Sequence, residues 1–499
     1  MSEREQLEIA TELWDEIVGF LSTEDDRQTL QHLNLINRRF HHVARPRLFA
    51  DFKFHPYSVA SDSYGMSAEH LLLPLHPYPQ RLRQRLEFWA SEDIASLVRD
   101  CTVQPLEFEE SERAHPPGED PYALLKAFYE FLPRFVNLKS FDAFTLHFTN
   151  LGIANLCLLP KLRTMSVDMC TVAEGETLDT PSKLKLETFR FANSDELEEW
   201  WLRGICPDSL HTLGLDLSGV YDQRFFYDLQ PSIPTFHNVR SLELALGRHP
   251  ASHHVATLSR FPGLKELALP RWGGMPGIAI NLEELGDAKY CPLLERYYGP
   301  AAVLPFLPLS TLTNVTVEPC EPHGFLAKIR SVVEPQSTSR MWYLSVSFVG
   351  YLPSLRDLSD LFLNLTILRV TISGRPWFYA GPETDDSQVA VSFFESLPSS
   401  LPQQIVKLAI NWRFKAPVVL PDMKQLKDDI LAQRPTLKTL WIHCVHSAFV
   451  WSEMPDGNPS MAMGGPEFAD SILPAFEMFF SGFWRSPDFR EDEVSTVDL

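Results

Sequence analysis

The sequence predicts an α/β chain. A helical N-terminal unit precedes a solenoid whose short strands stack into a curved parallel sheet with helical or irregular connectors. Three observations carry this reading. Between residues 9 and 43 the apolar side chains recur at helical intervals. From residue 138 a six-residue strand template repeats, its first four copies starting 24 residues apart. The segments between copies carry helix-start and helix-stop residues.

Composition sets the outer bounds. At 499 residues the chain has room for about three domains or one long repeat array. Hydrophobic residues are 44% and charged residues 22%, which places it among globular proteins rather than disordered or fibrous ones. The 39 prolines outnumber the 23 glycines, so connections are rigid and punctuated rather than loose. With 44 Lys and Arg against 65 Asp and Glu the net charge is −21, which repels phosphate backbones and argues against a nucleic-acid partner. The seven cysteines form no Cys-x-x-Cys pair, and an odd number in a chain of this size does not read as a disulfide framework. Met1-Ser-Glu-Arg-Glu5 lacks the charged-then-apolar order of a signal peptide, and no apolar run approaches the roughly 18–20 residues of a membrane span. The expectation is a soluble intracellular protein, cytoplasmic and/or nuclear, with no membrane partner.

In the N-terminal segment, Leu13, Ile17, Phe20 and Leu21 share one helix face, with Thr11 placed to cap it. An acidic interruption, Thr23-Glu-Asp-Asp26, follows. Leu30, Leu33, Ile36, Phe40 and Val43 form a second helical series, but Leu35 would point away from it. The segment therefore breaks or has two contact faces. A helical unit of about fifty residues is marginal as an independent core, so it should dock on its own chain or on a partner. On spacing alone it reads as a helical cap.

Four blocks then agree in order and spacing: Ile9-Ala-Thr-Glu12-Leu13 with Ile17 and Leu21; Leu30-Gln-His-Leu33-Asn-Leu35-Ile36; Arg38-Arg39-Phe40; and Pro46-Arg-Leu48-Phe49. Together they resemble the F-box, in its fungal form with a short insertion after the first helix. The pattern departs at Ala10, where Pro is usual. The resemblance implies a three-helix F-box over residues 5–50. It also implies docking on a Skp-family adaptor and its cullin complex through Ile9, Leu13, Ile17, Leu30, Leu33, Ile36 and Phe40.

Residues 51–130 read as a transitional segment, with exposed loops at 73–79 and 107–120 and one short helix at Ser91–Val98. The solenoid spans 131–445. Leu162-Arg-Thr-Met165-Ser-Val167, Leu210-His-Thr-Leu213-Gly-Leu215, Val239-Arg-Ser-Leu242-Glu-Leu244 and Leu437-Lys-Thr-Leu440-Trp-Ile442 represent eleven copies of one form, with a weaker one at Leu294–Tyr297. This is the leucine-rich-repeat signature. Alternation turns positions 4 and 6 inward and positions 3, 5 and 7 outward, and one such strand must stack on neighbours to bury its apolar side. A large α/β domain shares the strand–helix alternation but would not repeat a single template this often. Helices are expected at Ser354–Leu363, at Asp422–Gln433 and after Asn193-Ser-Asp-Glu196; Pro160, Pro207, Pro262, Pro292 and Pro435 precede the next strands. Cys206-Pro-Asp-Ser-Leu210 also resembles the repeats often found behind F-boxes. Register stays open in 271–311 and 374–404. Phe468, Ile472, Phe476 and Phe480 form a helical stripe in a C-terminal cap, 446–484, over the last repeat; 485–499 is expected to be disordered.

The motifs of catalysis are missing: no Gly-rich phosphate loop, no Gly-x-Gly-x-x-Gly and no Gly-x-Ser-x-Gly. His249, His253 and His254, and the run His443-Cys444-Val445-His446, lack partners at zinc spacing. No catalytic residue, metal or cofactor is therefore expected. Asn314-Val-Thr316 and Asn364-Leu-Thr366 read as chance glycosylation matches, and Arg38-Arg39-Phe-His-His42 as a solvated helix face. What the pattern offers is an outward strand face, on which Asp168, Arg190, Asp216, Tyr343, Arg369 and Trp441 are the candidate substrate-binding residues. Tyr343 and Trp441 are aromatics of the type found at hot spots, or else pack on neighbouring repeats or the cap. The family resemblance implies a non-catalytic substrate receptor of an SCF-type cullin–RING ubiquitin ligase, holding an unknown target protein on the solenoid. An F-box scaffold without a ubiquitination role is the alternative, and a hydrolase or metal enzyme on an α/β fold the third.

Overall fold

A computed structural model describes residues 14, 16–18, 20–21, 26–60, 71–72, 78–108, 120, 122–172, 183–192, 198–216, 234–245, 257–270, 291–332, 338–350, 352, 354–374, 386–414, 421–453 and 459–472. The chain is mixed α/β and divides into two compact units, Met1–Val239 and Arg240–Leu499.

The first unit begins with helices. Residues 14 and 16–18 are helical, followed by α1 (Arg27–Ile36) and α2 (Arg38–Leu48). The apolar series of the sequence does break: Asn37 is extended at φ −162° and ψ 173°, and its side-chain oxygen accepts from the Phe40 amide at 3.0 Å. An Asn in that conformation satisfies a free amide of the new helix, which is why the second helix starts there. Val18, Leu30, Val43 and Ala44 form the centre of this unit, with Trp14, Leu21, Leu33 and Leu48 packed around them. Trp14 meets Phe40 edge-on at 4.7 Å.

Six parallel strands follow: β1 (Asp51–Phe54), β2 (Asp100–Val103), β3 (Ser140–Phe144), β4 (Thr164–Asp168), β5 (Thr188–Ala192) and β6 (Thr212–Asp216). Each pairs with its successor, and Phe52, Cys101, Phe141, Met165, Phe189 and Leu213 align across all six. The first two strands lie in the segment that the sequence assigns to a transition. The template hid them because Phe49-Ala-Asp-Phe52-Lys-Phe54 and Val98-Arg-Asp-Cys101-Thr-Val103 keep its alternation but replace every Leu. A helix at Tyr78–Trp89 was likewise not anticipated, whereas the short helix near 91–98 is present as Glu92–Ala95. Residues 73–77 and 109–119 of the two expected loops lie outside the described residues.

Aromatic rings fill this unit's interior. Phe52 stacks on Trp89 at 4.8 Å and touches Phe135 at 5.6 Å, Phe54 stacks on Phe128 at 5.4 Å, and Phe148 meets Trp201 at 5.1 Å. Each ring removes some 150–250 Å² from water, so a few of them supply most of the packing. The end of α2 joins the same layer, with Phe49 against Trp89 at 5.4 Å and the Arg45 guanidinium donating to the Asp93 carbonyl at 3.2 Å.

The second unit continues the pattern with β7 (Ser241–Ala245), β8 (Glu266–Ala268), β9 (Arg296–Gly299), β10 (Asn314–Cys320), β11 (Tyr343–Val349), β12 (Ile367–Ser373), β13 (Lys407–Arg413) and β14 (Thr439–Cys444). All are parallel, and Leu242, Leu267, Tyr297, Val315, Leu344, Leu368, Leu408 and Leu440 align in register. Tyr297 lies in the weak copy, so among the described residues of 271–311 there is one strand, and those of 374–404 include a helix at Asp386–Ser400. The helix expected from Asp422 starts at Met423, because the Asp422 carboxylate accepts from the amides of Lys424 and Gln425. After β14 the chain leaves the repeat and turns back antiparallel as β15 (Ser447–Glu453) and β16 (Pro459–Gly464). Antiparallel return closes the growing edge without a further connector. Phe476, Phe480 and residues 485–499 lie outside the described residues. Among the described residues no helix is long and apolar enough to cross a membrane.

Two expected outcomes test this packing. Thr145 and Met169 sit 24 residues apart in the same left-handed turn, at φ 56° and 51°, just past β3 and β4. A side chain there costs roughly 1–2 kcal/mol. Met169, which is exposed, should therefore accept Met169→Gly with a gain of about 1 kcal/mol, read as a raised urea midpoint at unchanged slope. Phe52→Ala should cost about 3–5 kcal/mol in the same assay.

Candidate functional site

The ladder that aligns the buried positions also aligns the outward ones, so the outward face is a grid of rows about 4.8 Å apart across strands. In the first unit, one row carries Asp142, Ser166, Arg190 and Gly214. The next brings Asp168, Ala192 and Asp216 into register. Arg190 is exposed and Asp168 and Asp216 are half-buried. These three sequence candidates are thus brought together on adjacent strands. Gly214 makes room for the arginine: a Cβ there would lie 3.2 Å from Arg190 Cγ.

Two further carboxylates join Asp142 on this face. Asp51 pairs in register with Asp100, and Asp142 follows one row on. The Asp100 carboxyl is held above its ordinary pKa by burial first, then by the charge of Asp51 and a hydrogen bond with it, and by Asp142; Lys139 opposes these. Asp142 is also raised by burial, with the positive charge of Arg190 pulling it back. The sequence missed Asp51 and Asp100 because their strands lacked the leucine template. Asp142 was legible as position 5 of the first copy.

The second unit's face is different. Tyr343 and Trp441, placed outward by the alternation, are only 1% and 9% exposed, so the reading of them as surface aromatics is corrected. Two elements enclose them. Register puts Val450 beside Trp441 and Ala448 beside His443. The helical stretch 466–472 then lies over the face, so that Tyr343, Ile367, Ala409, Trp441, Ala448, Val450, Ala469 and Ile472 form one cluster with Trp342 and Phe468. The stripe residues Phe468 and Ile472 therefore pack on the outward strand face, and the end of the parallel ladder is met by β15 and β16 instead. Phe468 sits so close to β16 that a Cβ on Gly464 would lie 2.4 Å from its own.

Polar groups are buried on the same face: Ser345, Asn411, Thr439 and His443. The Asn411 amide nitrogen donates to His443 Nδ1 at 3.1 Å, and its oxygen accepts from Arg413 Nε at 2.8 Å. Burial raises the Tyr343 hydroxyl, with Arg369 and hydrogen bonds from Ser345 and Thr316 opposing it. Arg369, the remaining candidate, is half-buried beside them.

The helical unit presents a third surface. Phe20 and Leu35 are 84% and 80% exposed, and Ile17 and Ile36 are exposed as well. Leu33 and Phe40 are half-buried, whereas Leu30 is fully buried inside the unit. Leu30 thus holds the helices together and presents no surface to a partner. Ile9 and Leu13 lie outside the described residues. Phe20 and Leu35 were absent from the candidate set, although the off-stripe position of Leu35 already signalled a second apolar face.

Burial pushes the thiols of Cys170, Cys291 and Cys444 up to about 12 and that of Cys101 higher still, so they stay protonated. Among the described residues no group of three or more His, Cys, Asp or Glu is arranged to hold a metal ion. The three surfaces are an acidic face with one arginine, a covered apolar face, and exposed apolar side chains on short helices. No protein-family profile matches the chain, and no curated protein matches it.

The raised carboxyl of Asp100 has a definite sign. A group whose folded pKa lies above its unfolded value stabilises the fold below the unfolded pKa and loses that contribution as pH rises through the folded one. Asp100→Asn should therefore raise the urea midpoint at pH 7, and the difference from wild type should vanish below about pH 3, where the wild-type carboxyl is protonated in both states.

Proposed function

We propose that the chain is a substrate receptor of an SCF-type cullin–RING ubiquitin ligase. In this reading the helical unit is an F-box that docks on a Skp-family adaptor, and the strand stack is a set of degenerate leucine-rich repeats that holds a target protein. One observation carries the reading. The helical unit fills its core with Val18, Leu30, Val43 and Ala44 yet leaves Ile17, Phe20, Leu35 and Ile36 in solvent. Large apolar side chains exposed on so small a unit are characteristic of a surface that a partner covers. The order of the F-box-like blocks names which partner that would be.

The target would meet the face of β3–β6, where Asp142, Asp168 and Asp216 surround Arg190 and complement a positively charged segment. The contribution to ubiquitination is proximity: holding the target beside the charged enzyme raises its effective concentration without any bond being made by this chain. A second reading, a scaffold that binds partners without directing ubiquitination, is kept open by Ala10 in place of the usual Pro. Target levels before and after proteasome inhibition separate the two.

Co-expression with a Skp-family adaptor followed by size exclusion tests the docking. The wild-type chain should elute as a stable 1:1 complex. Leu35→Asp with Ile36→Asp should weaken binding at least 30-fold, as loss of a hot spot of about 2 kcal/mol or more does, while leaving the melting temperature unchanged. Leu30→Ala should instead cost about 2–5 kcal/mol of stability. An unimpaired complex with the double variant would overturn the assignment.

A further inference from the structure

We propose that the cavity between the end of α2 and the strand starts of β2–β4 is a binding site for one phosphate group, brought by free phosphate or by a phosphate monoester. The inference goes beyond the receptor reading and does not depend on it. The cavity has a volume of about 220 Å³, and Pro46, Ser96, Arg99, Asn137, Lys139 and Lys161 line it, with no carboxylate in the lining. Pockets for whole small molecules begin at roughly 300 Å³, so this one suits a single functional group. Three cations converge here in a chain whose net charge is −21. At physiological salt the screening length is about 8 Å, so these neighbours, rather than the distant carboxylates, set the local potential.

The strand ladder explains why the cations gather. Arg99, Lys139, Arg163 and Glu187 each stand one residue before a strand. The amides of Lys139, Arg163 and Glu187 donate in turn to the carbonyls of Arg99, Lys139 and Arg163, which brings all four into one row. Where this row meets an acid the charge is answered: Arg163 pairs with Glu187 at 3.1 Å, and in the second unit Lys265 pairs with Glu295 at 2.7 Å. Arg99 and Lys139 have no such answer. They stand on adjacent strands about 4.8 Å apart, and neither side chain forms a hydrogen bond or ion pair among the described residues. The Asp100 carboxyl feels the charge of Lys139 but does not line the cavity. Lys161 is held in place, its Nζ donating to Asn137 Oδ1 at 2.7 Å while Asn137 Nδ2 donates to the Ser96 carbonyl at 2.6 Å. An ammonium has three N–H donors, so two remain for a ligand. A phosphate monoester brings a charge of about −1.5 to −2 and three acceptor oxygens, which match one guanidinium fork and two ammonium groups.

The test is calorimetric titration of the full chain with sodium phosphate at constant ionic strength, where the wild type should show a single saturable site. Lys139→Gln with Lys161→Gln should weaken that site by roughly tenfold or more, as the loss of charge-assisted hydrogen bonds does. Both lysines are exposed, so the variant should keep the cooperative melt of the wild type. Arg99→Gln, a second and independent variant, should weaken the site as well. Lys265→Gln, which removes a cation from outside the cavity, should leave it unchanged. Competition by N-acetyl-O-phosphoserine amide separates the two sources of the phosphate group: displacement at concentrations no higher than those of phosphate assigns the site to an ester, and failure to displace assigns it to the free ion. Heats that do not saturate would overturn the proposal, as would a site that the double variant and Arg99→Gln bind as tightly as the wild type does.

Discussion

A short strand has one side it must hide and two edges it must pair, and the rest of this molecule follows from satisfying both at once. Each parallel neighbour takes up the backbone groups of one edge while stacking its own apolar residue on the last. The alignment of Phe141, Met165, Phe189 and Leu213 in one unit, and of Leu344, Leu368, Leu408 and Leu440 in the other, is the outcome. A slip of one residue would turn every buried side chain outward, so register is held by the full apolar content of each row. The same constraint fixes the outward rows, because a residue two positions along faces the same side.

What those outward rows do depends on what lies over them. In the first unit they remain in contact with water; burial, with the charges of Asp51 and Asp142 behind it, raises the Asp100 carboxyl, while Arg190 relieves Asp142. In the second unit the antiparallel return and the helical stretch after it carry apolar residues back over the strands. Tyr343 and Trp441, which on an uncovered sheet would be surface aromatics, become the floor of a filled groove. One architecture thus presents two chemically different faces.

The N-terminal helices obey a different limit. So few residues cannot enclose all of their own apolar side chains, and the division between Leu30 inside and Leu35 outside is its local expression. The extended residue Asn37 makes that division possible by starting a new helix at a new angle.

Period-two alternation in a recurring six-residue template was enough to predict parallel strands and the stacking of Leu, Val and Phe, because that signal depends only on neighbouring residues along the chain. The misplaced Leu35 signalled, for the same reason, that the second helical series breaks or has two contact faces, and the break falls at Asn37. Strands β1 and β2 were not, since Phe52 and Cys101 satisfy the packing without matching the leucine template. Only the tertiary structure decided that Tyr343 and Trp441 are buried, that Asp51 and Asp100 share a row, and that Leu30 faces inward. Each of these depends on a segment distant in sequence arriving against a given face, and alternation along a strand records which side a residue points to but not what comes to cover it.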